Sequence, residues 1–218
     1  MTLTPRRELS DLPFASVLSP YEGGLAADEV YDGCHFSGAV FTGDSADGAT
    51  FMECAFSDVT LDGVQARKSR FSDVWLRDVR LLSADLAETG WADVTFVGCA
   101  AAGMQAFGAS LRRVTFQGCK LDSVNFRTAV LTDVTFEDCL LRDVDFGGAT
   151  LKRTRFPSCT LTRADFSRVT LEKVDLRGAG LDITAGYESL RGAIIDTAQL
   201  MSIAPVLARQ LGIEVKEG

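Results

Sequence analysis

From Tyr31 to Leu181, every residue whose number ends in 1 or 6 belongs to one apolar class. Of these 31 positions 27 are Phe, Leu, Trp or Tyr, and the exceptions, Ala46, Ala66, Ala101 and Ala106, leave the frame unshifted. From Cys34 onward the residue two places before each centre is Ala, Cys, Val, Ser or Thr, apart from Asp44 and Met104. The other three places of each pentamer are mostly polar and carry most of the charge. A period of five fits neither a helix at 3.6 nor a strand at 2, so each pentamer must turn the chain once and send two residues inward. Four turns close a square. One coil then takes about 20 residues, and stacked coils pair short strands at ~4.8 Å to give a rod ~37 Å long.

Residues one coil apart should stack on one wall of this square. Phe116, Phe136 and Phe156 fall on one wall and Phe126, Phe146 and Phe166 on the opposite one, while Leu121, Leu141, Leu161 and Leu111, Leu131, Leu151 fill the remaining two. Alternating aromatic and aliphatic walls fill a square lumen. The reading is therefore an all-β solenoid of about seven to eight coils. Ala46, Ala66 and Ala106 share one wall, which predicts a narrowed or kinked cross-section there, with Phe107 swinging in as compensation.

The runs FEDCLLRDVDFGGATL (136–151) and LTRADFSRVTLEKVDLRGAGL (161–181) resemble the A-(D/N)-(L/F)-X-X units of pentapeptide-repeat proteins. The resemblance spans residues 31 to 181 and implies a right-handed quadrilateral β-helix. It fixes no function, because one architecture hosts many.

A solenoid exposes strand edges and apolar lumen at both ends and needs caps. Residues 1–30 form an N-terminal cap or extension, 31–186 the β-helix and 187–218 a C-terminal helical cap. Asp196 is placed to cap a helix whose third residue is Gln199. Pro205 should kink or split that helix, and Gly212 should stop it. Leu200, Ile203, Leu207 and Leu211 give it an apolar stripe. The cap either covers only its own coil or also joins two copies through these four residues.

The formal net charge of −8, from 30 acidic and 22 basic residues, argues against a nucleic-acid binder held by phosphate contacts and favours a cationic protein partner. No segment has the apolar length of a signal peptide or a membrane span, which predicts a cytoplasmic protein without membrane contact. Six cysteines without a secretory signal read as reduced thiols. Cys99, Cys119, Cys139 and Cys159 lie 20 apart and Cys34 and Cys54 likewise, so they form inner ladders. A four-rung ladder spreads its outer sulfurs by roughly 14 Å, far beyond tetrahedral zinc with Zn–S near ~2.3 Å. The sole histidine, His35, should face outward. Asn125, Asp145 and Asp165 repeat at equivalent corners and read as turn formers, not as an acid–base pair. QARKSR (65–70) reads as solvated surface. No motif for hydrolytic, metal or nucleotide chemistry appears, so the expectation is no enzyme, no catalytic residue, no cofactor and no metal.

Residues 28–93 contain 13 acids and 5 bases, whereas 94–185 contain 10 acids and 12 bases. The acidic part is ~16 Å long at the strand spacing, so it carries about one net negative charge per ~2 Å, against one per ~1.7 Å in duplex DNA. Glu53, Asp73 and Asp93 stack in one row and Asp58 and Asp78 in an adjacent one. These rows suit a cationic DNA-binding groove. A C-terminal helix after such a rod resembles the MfpA/Qnr-type, gyrase-interacting branch of the family. The resemblance implies a homodimer joined at its C-terminal ends, a DNA mimic that binds DNA gyrase or a related type II topoisomerase and modulates it or protects it from quinolone-type poisons. The alternative is a structural or adaptor module for an unrelated protein.

Overall fold

The computed structural model describes residues 8–216. It is a parallel β-solenoid of about eight coils with one C-terminal helix, Thr197–Gln210. Strands of two to six residues pair in parallel with the strand one coil away. The register is mostly 20 residues, as in Phe96↔Phe116, Leu121↔Leu141 and Leu131↔Leu151. The first wall carries Tyr31, Phe51, Phe71, Trp91 and then Leu111 onward. The second carries Phe36 to Phe136 and the third Phe41 to Leu181. Each of these three is a sheet of seven or eight strands. The fourth, from Ala46 to Phe166, is held by single bridges from Ser45↔Gln65 to Asp145↔Asp165.

The fourth wall differs because its pentamers close as turns. Ala49, Ala109, Ala129 and Ala149 each donate their N–H to the carbonyl of the centre three residues earlier. The carboxylates of Asp145 and Asp165 accept the N–H two residues on, each at 2.7 Å, and Asn125 does the same toward Arg127. These side chains are turn formers, as expected from their spacing.

The aromatic walls stack as predicted. Ring centroids lie 4.8 Å apart for Phe116 and Phe136, 4.9 Å for Phe136 and Phe156 and 5.5 Å for Phe126 and Phe146. Across the lumen Phe146 meets Phe136 and Phe156 edge to face, the favoured geometry for aromatic quadrupoles.

Along the alanine wall the bridges Ser45↔Gln65↔Asp85↔Gln105 run on without a break. The missing side-chain volume leaves an apolar void of about 30 Å³ lined by Ala46, Ala66, Leu61, Leu81 and Trp91 among others. Ala106 does not line it. Phe107 stays outside, half-buried, with the Arg67 guanidinium 5.7 Å from its ring centroid. Moving it inward would cost a coil bond, since its carbonyl accepts the N–H of Glu88 at 2.9 Å. Nor is QARKSR wholly solvated, because Ser69 is buried and Arg67 also reaches Asp85 and Glu88.

Both ends are closed. Ser19–Pro20 pairs with Cys34–His35 as a partial first coil, and Tyr21 lies over the lumen with its ring 4.9 Å from Phe36 and 5.4 Å from Tyr31. Asp44, an exception among the small inward positions, accepts the N–H of Leu25 at 3.2 Å. At the other end Asp196 and Gln199 form the expected capping box. Gln199 is buried and donates to the Leu176 and Ala179 carbonyls at 2.6 and 2.7 Å, tying the helix to open acceptors of the last coil. Gly212 (φ +71°) ends the helix in a Schellman motif, with Ile213 N–H on Ala208 O at 2.8 Å and Gly212 N–H on Arg209 O at 3.1 Å. Pro205 neither ends nor splits the helix. It lies on the exposed side, four residues after exposed Met201, so the lost backbone bond falls where water can replace it.

Candidate functional site

The side chains capable of chemistry are tied down by the fold. All six cysteines are free thiols, and five of them are buried. Each of the four in the long ladder donates to the carbonyl 23 residues earlier, for example Cys159 to Phe136 at 3.2 Å. Burial pushes the Cys54 thiol up to about 12. Hydrogen bonds along the ladder, with burial, raise Cys119 and Cys159, and the same contacts lower Cys139 between them. The raised thiols, kept protonated, are poor nucleophiles and metal ligands. Among the described residues no group of three or more His, Cys, Asp or Glu is placed to hold a metal. His35 faces outward with Nε2 2.9 Å from Ser57 Oγ, and burial lowers its pKa.

The acidic rows sit at the corners. Every residue ending in 3 or 8, from Asp28 to Gly178, has a left-handed backbone, and 19 of these 31 are glycine or aspartate. These two residue types tolerate that region best. Asp58, Asp73, Asp78 and Asp93 therefore answer a backbone demand as well as supplying charge. Glu53 (φ +48°) does not, so its carboxylate is the one of the five that corner geometry leaves unexplained.

The five do not form one uniform acidic face. Along the first corner column, Glu53, Asp73 and Asp93 give way to Arg113, Asp133 and Arg153. Arg113 grips Asp93 through two bonds, the Nε contact at 2.6 Å, and Arg153 grips Asp133 at 2.6 and 2.8 Å. On the second column Asp78 has Arg77 Nε at 3.3 Å. Glu53 and Asp58 are exposed, with no ion-pair partner among the described residues. In the basic half the Arg–Asp contacts one coil apart continue with Arg142–Asp122 and Arg163–Asp143. The guanidinium beside each holds Asp122 and Asp133 below the usual carboxylate range.

Between the two acidic columns lies the outer side of the second wall, which the N-terminal segment covers over the first coils. Leu12 and Phe14 are buried against Ala55 and Trp75, and Leu9, Ala15, Leu18 and Val97 pack around them. Glu8 pairs with Arg77. The repeat frame does not extend to this segment. The available signal was Trp75, a large aromatic at an outward position where the next three coils have Thr95, Thr115 and Thr135.

The helix stripe divides in two. Ile203 is buried against the rod and Leu207 is half-buried, so Ile203 belongs to the cap and not to a free face. Leu200 and Leu211 are exposed, and with Met201, Ile213 and Val215 they make the C-terminal end apolar. No helix among the described residues is long and apolar enough to cross a membrane.

With both ends covered, an apolar lumen and a charged exterior, the fold is a capped, four-sided parallel β-solenoid. Two family models give it a family. Pentapeptide repeats (8 copies) matches residues 34–73 and Pentapeptide repeat region matches 109–184. Together they cover more than half of the chain, which is a pentapeptide-repeat protein. Among curated proteins none matches the sequence. Similar solved structures include trypsin-treated QnrB1, a plasmid-mediated fluoroquinolone resistance protein, at 20% identity over 87% of this chain and 100% of that one, TM-score 0.44. HetL, involved in heterocyst differentiation regulation in the cyanobacterium Nostoc, is 18% identical over 77% and 90%, TM-score 0.35. A pentapeptide repeat protein from the thylakoid lumen of Arabidopsis thaliana is 20% identical over 62% and 70%, TM-score 0.24. These likenesses concern repeat architecture and assign no partner.

Proposed function

We propose that this protein is a non-enzymatic DNA mimic that binds DNA gyrase or a related type II topoisomerase in place of duplex DNA, as a cytoplasmic homodimer joined through its C-terminal ends. The observation that carries the reading is the acidic part of the rod, where exposed Glu53 and Asp58 lie on corner columns that also hold Asp73, Asp93 and Asp78. Regularly spaced carboxylates on a stiff rod offer a cationic groove what a phosphate backbone offers, with no base edge to read. The basic part has several of its carboxylates gripped by arginines, which confines the acidic surface to the end of each rod away from the helix. Exposed Leu200, Met201, Leu211, Ile213 and Val215 support the dimer, since large apolar side chains left in water gain by being covered. Supercoiling assays test the function. Inhibition of gyrase, or rescue of it from a fluoroquinolone, is expected, and neither effect over a wide concentration range excludes it. Sedimentation tests the dimer, with Leu211→Lys expected to give monomer; a wild-type monomer at high concentration excludes it.

A further inference from the structure

The segment from Glu8 to Leu18 is attached in a way that sets it apart from the rest of the chain. Its described backbone hydrogen bonds are internal turns: Asp11 to Glu8, Leu12 to Leu9, Ala15 to Leu12 and Val17 to Phe14. Pairing with the solenoid begins only at Ser19–Pro20. Lifting residues 8–18 therefore breaks none of the ladder bonds between coils. What holds the segment is side-chain burial, Leu12 and Phe14 on Ala55 and Trp75, together with the Glu8–Arg77 ion pair.

The strip beneath it is unlike the outer side of a solenoid wall. Ala55 and Trp75 are 0% and 2% exposed at positions that point away from the lumen. The strip is bordered by the corner columns of Glu53 and Asp73 on one side and Asp58 and Asp78 on the other, because the chain enters and leaves this wall through those corners. An apolar floor between two carboxylate rows fits a short chain segment with a bulky apolar anchor and flanking lysines or arginines.

We propose that residues 8–18 are a removable cover over a docking strip, and that the uncovered strip binds a cationic, Leu/Phe-anchored segment of the protein partner. Resting on the proposed function, this makes the segment part of the topoisomerase. Opening and binding are then linked. The cover lowers apparent affinity by the fraction of molecules that are open, so loosening it raises affinity by up to the inverse of that fraction.

The test uses the full chain with Trp91→Phe, which leaves Trp75 as the fluorescent reporter. The probe is a labelled synthetic peptide in which arginines flank Lys-Leu-Ser-Lys-Leu-Pro-Phe. Leu12→Ser/Phe14→Ser should shift Trp75 emission to the red and tighten peptide binding by about tenfold or more. Adding Trp75→Thr, which installs the residue type of the following coils, should abolish that gain. Unshifted emission in the double variant, or a shift without tighter peptide binding, overturns the proposal. Purified gyrase forms a separate arm. Tighter peptide binding with no gyrase binding in any variant refutes the topoisomerase reading and leaves the strip standing, whereas gyrase binding that ignores the cover refutes the strip alone.

Discussion

Glu53 and Asp58 share a left-handed backbone but not a reason for being acidic. Aspartate suits that conformation and glutamate does not, so Glu53 is the more informative of the pair. Inward positions were legible residue by residue, because each centre must be apolar and each residue two places before it small. Charge pairing was legible in principle and was missed. Asp93 and Arg113, or Asp133 and Arg153, stand 20 apart in the sequence, and that interval places them on adjacent rungs. The alanine wall was legible from the spacing of Ala46 and Ala66, and its missing side-chain volume leaves a void beside them. Filling it should help. Ala66→Val should raise unfolding free energy by about 0.7 kcal/mol, from ~24 cal/mol per Å³ of cavity and a void of about 30 Å³. Ala106→Val, on the same wall away from the void, should lose about 1–3 kcal/mol to overpacking. Urea denaturation of both variants checks the pair, and equal effects would contradict the position of the void.

Among elements, the C-terminal helix shows how far local signals reach. Its capping box and glycine stop are short-range chemistry and were readable, whereas the fate of Pro205 and Ile203 depended on which side of the helix met the rod. The same limit hid the N-terminal cover, whose partners are distant in sequence, up to 69 residues for Glu8 and Arg77, and outside the repeat frame. Gln199→Ala should remove two buried hydrogen bonds and strand the Leu176 and Ala179 carbonyls, a loss of about 1–3 kcal/mol. Acid should act on the same joint. Hydrogen bonds from the backbone N–H groups of Gln199 and Gly178 hold the Asp196 carboxyl below its ordinary range. Its stabilising contribution is thus complete above the ordinary carboxylate pKa of about 4 and is lost as pH falls through the lowered folded value. Amide exchange in residues 197–210 should accelerate below that pH before the coils open. Helix and coils opening together would contradict the capping role.

At the scale of the molecule, a uniform frame carries a non-uniform surface. The first coils hold a small void, are acidic and are covered on one wall, while in the later coils several carboxylates are gripped by arginines one coil away. The polarity was visible in the charge count of the two halves. Its extent was not, because Asp93 and Asp78 have arginine neighbours that a count assigns to no partner. Binding in place of DNA should therefore depend on a few carboxylates and not on net charge. The most direct measurement is displacement of a fluorescently labelled DNA duplex from purified gyrase, followed by anisotropy at fixed ionic strength. The wild-type protein should displace the duplex, and Glu53→Lys/Asp58→Lys should need at least about tenfold more protein, equivalent to ~1.4 kcal/mol, while Lys173→Glu should change little. No displacement by the wild type, or equal displacement by the charge-reversed variant, would contradict the account.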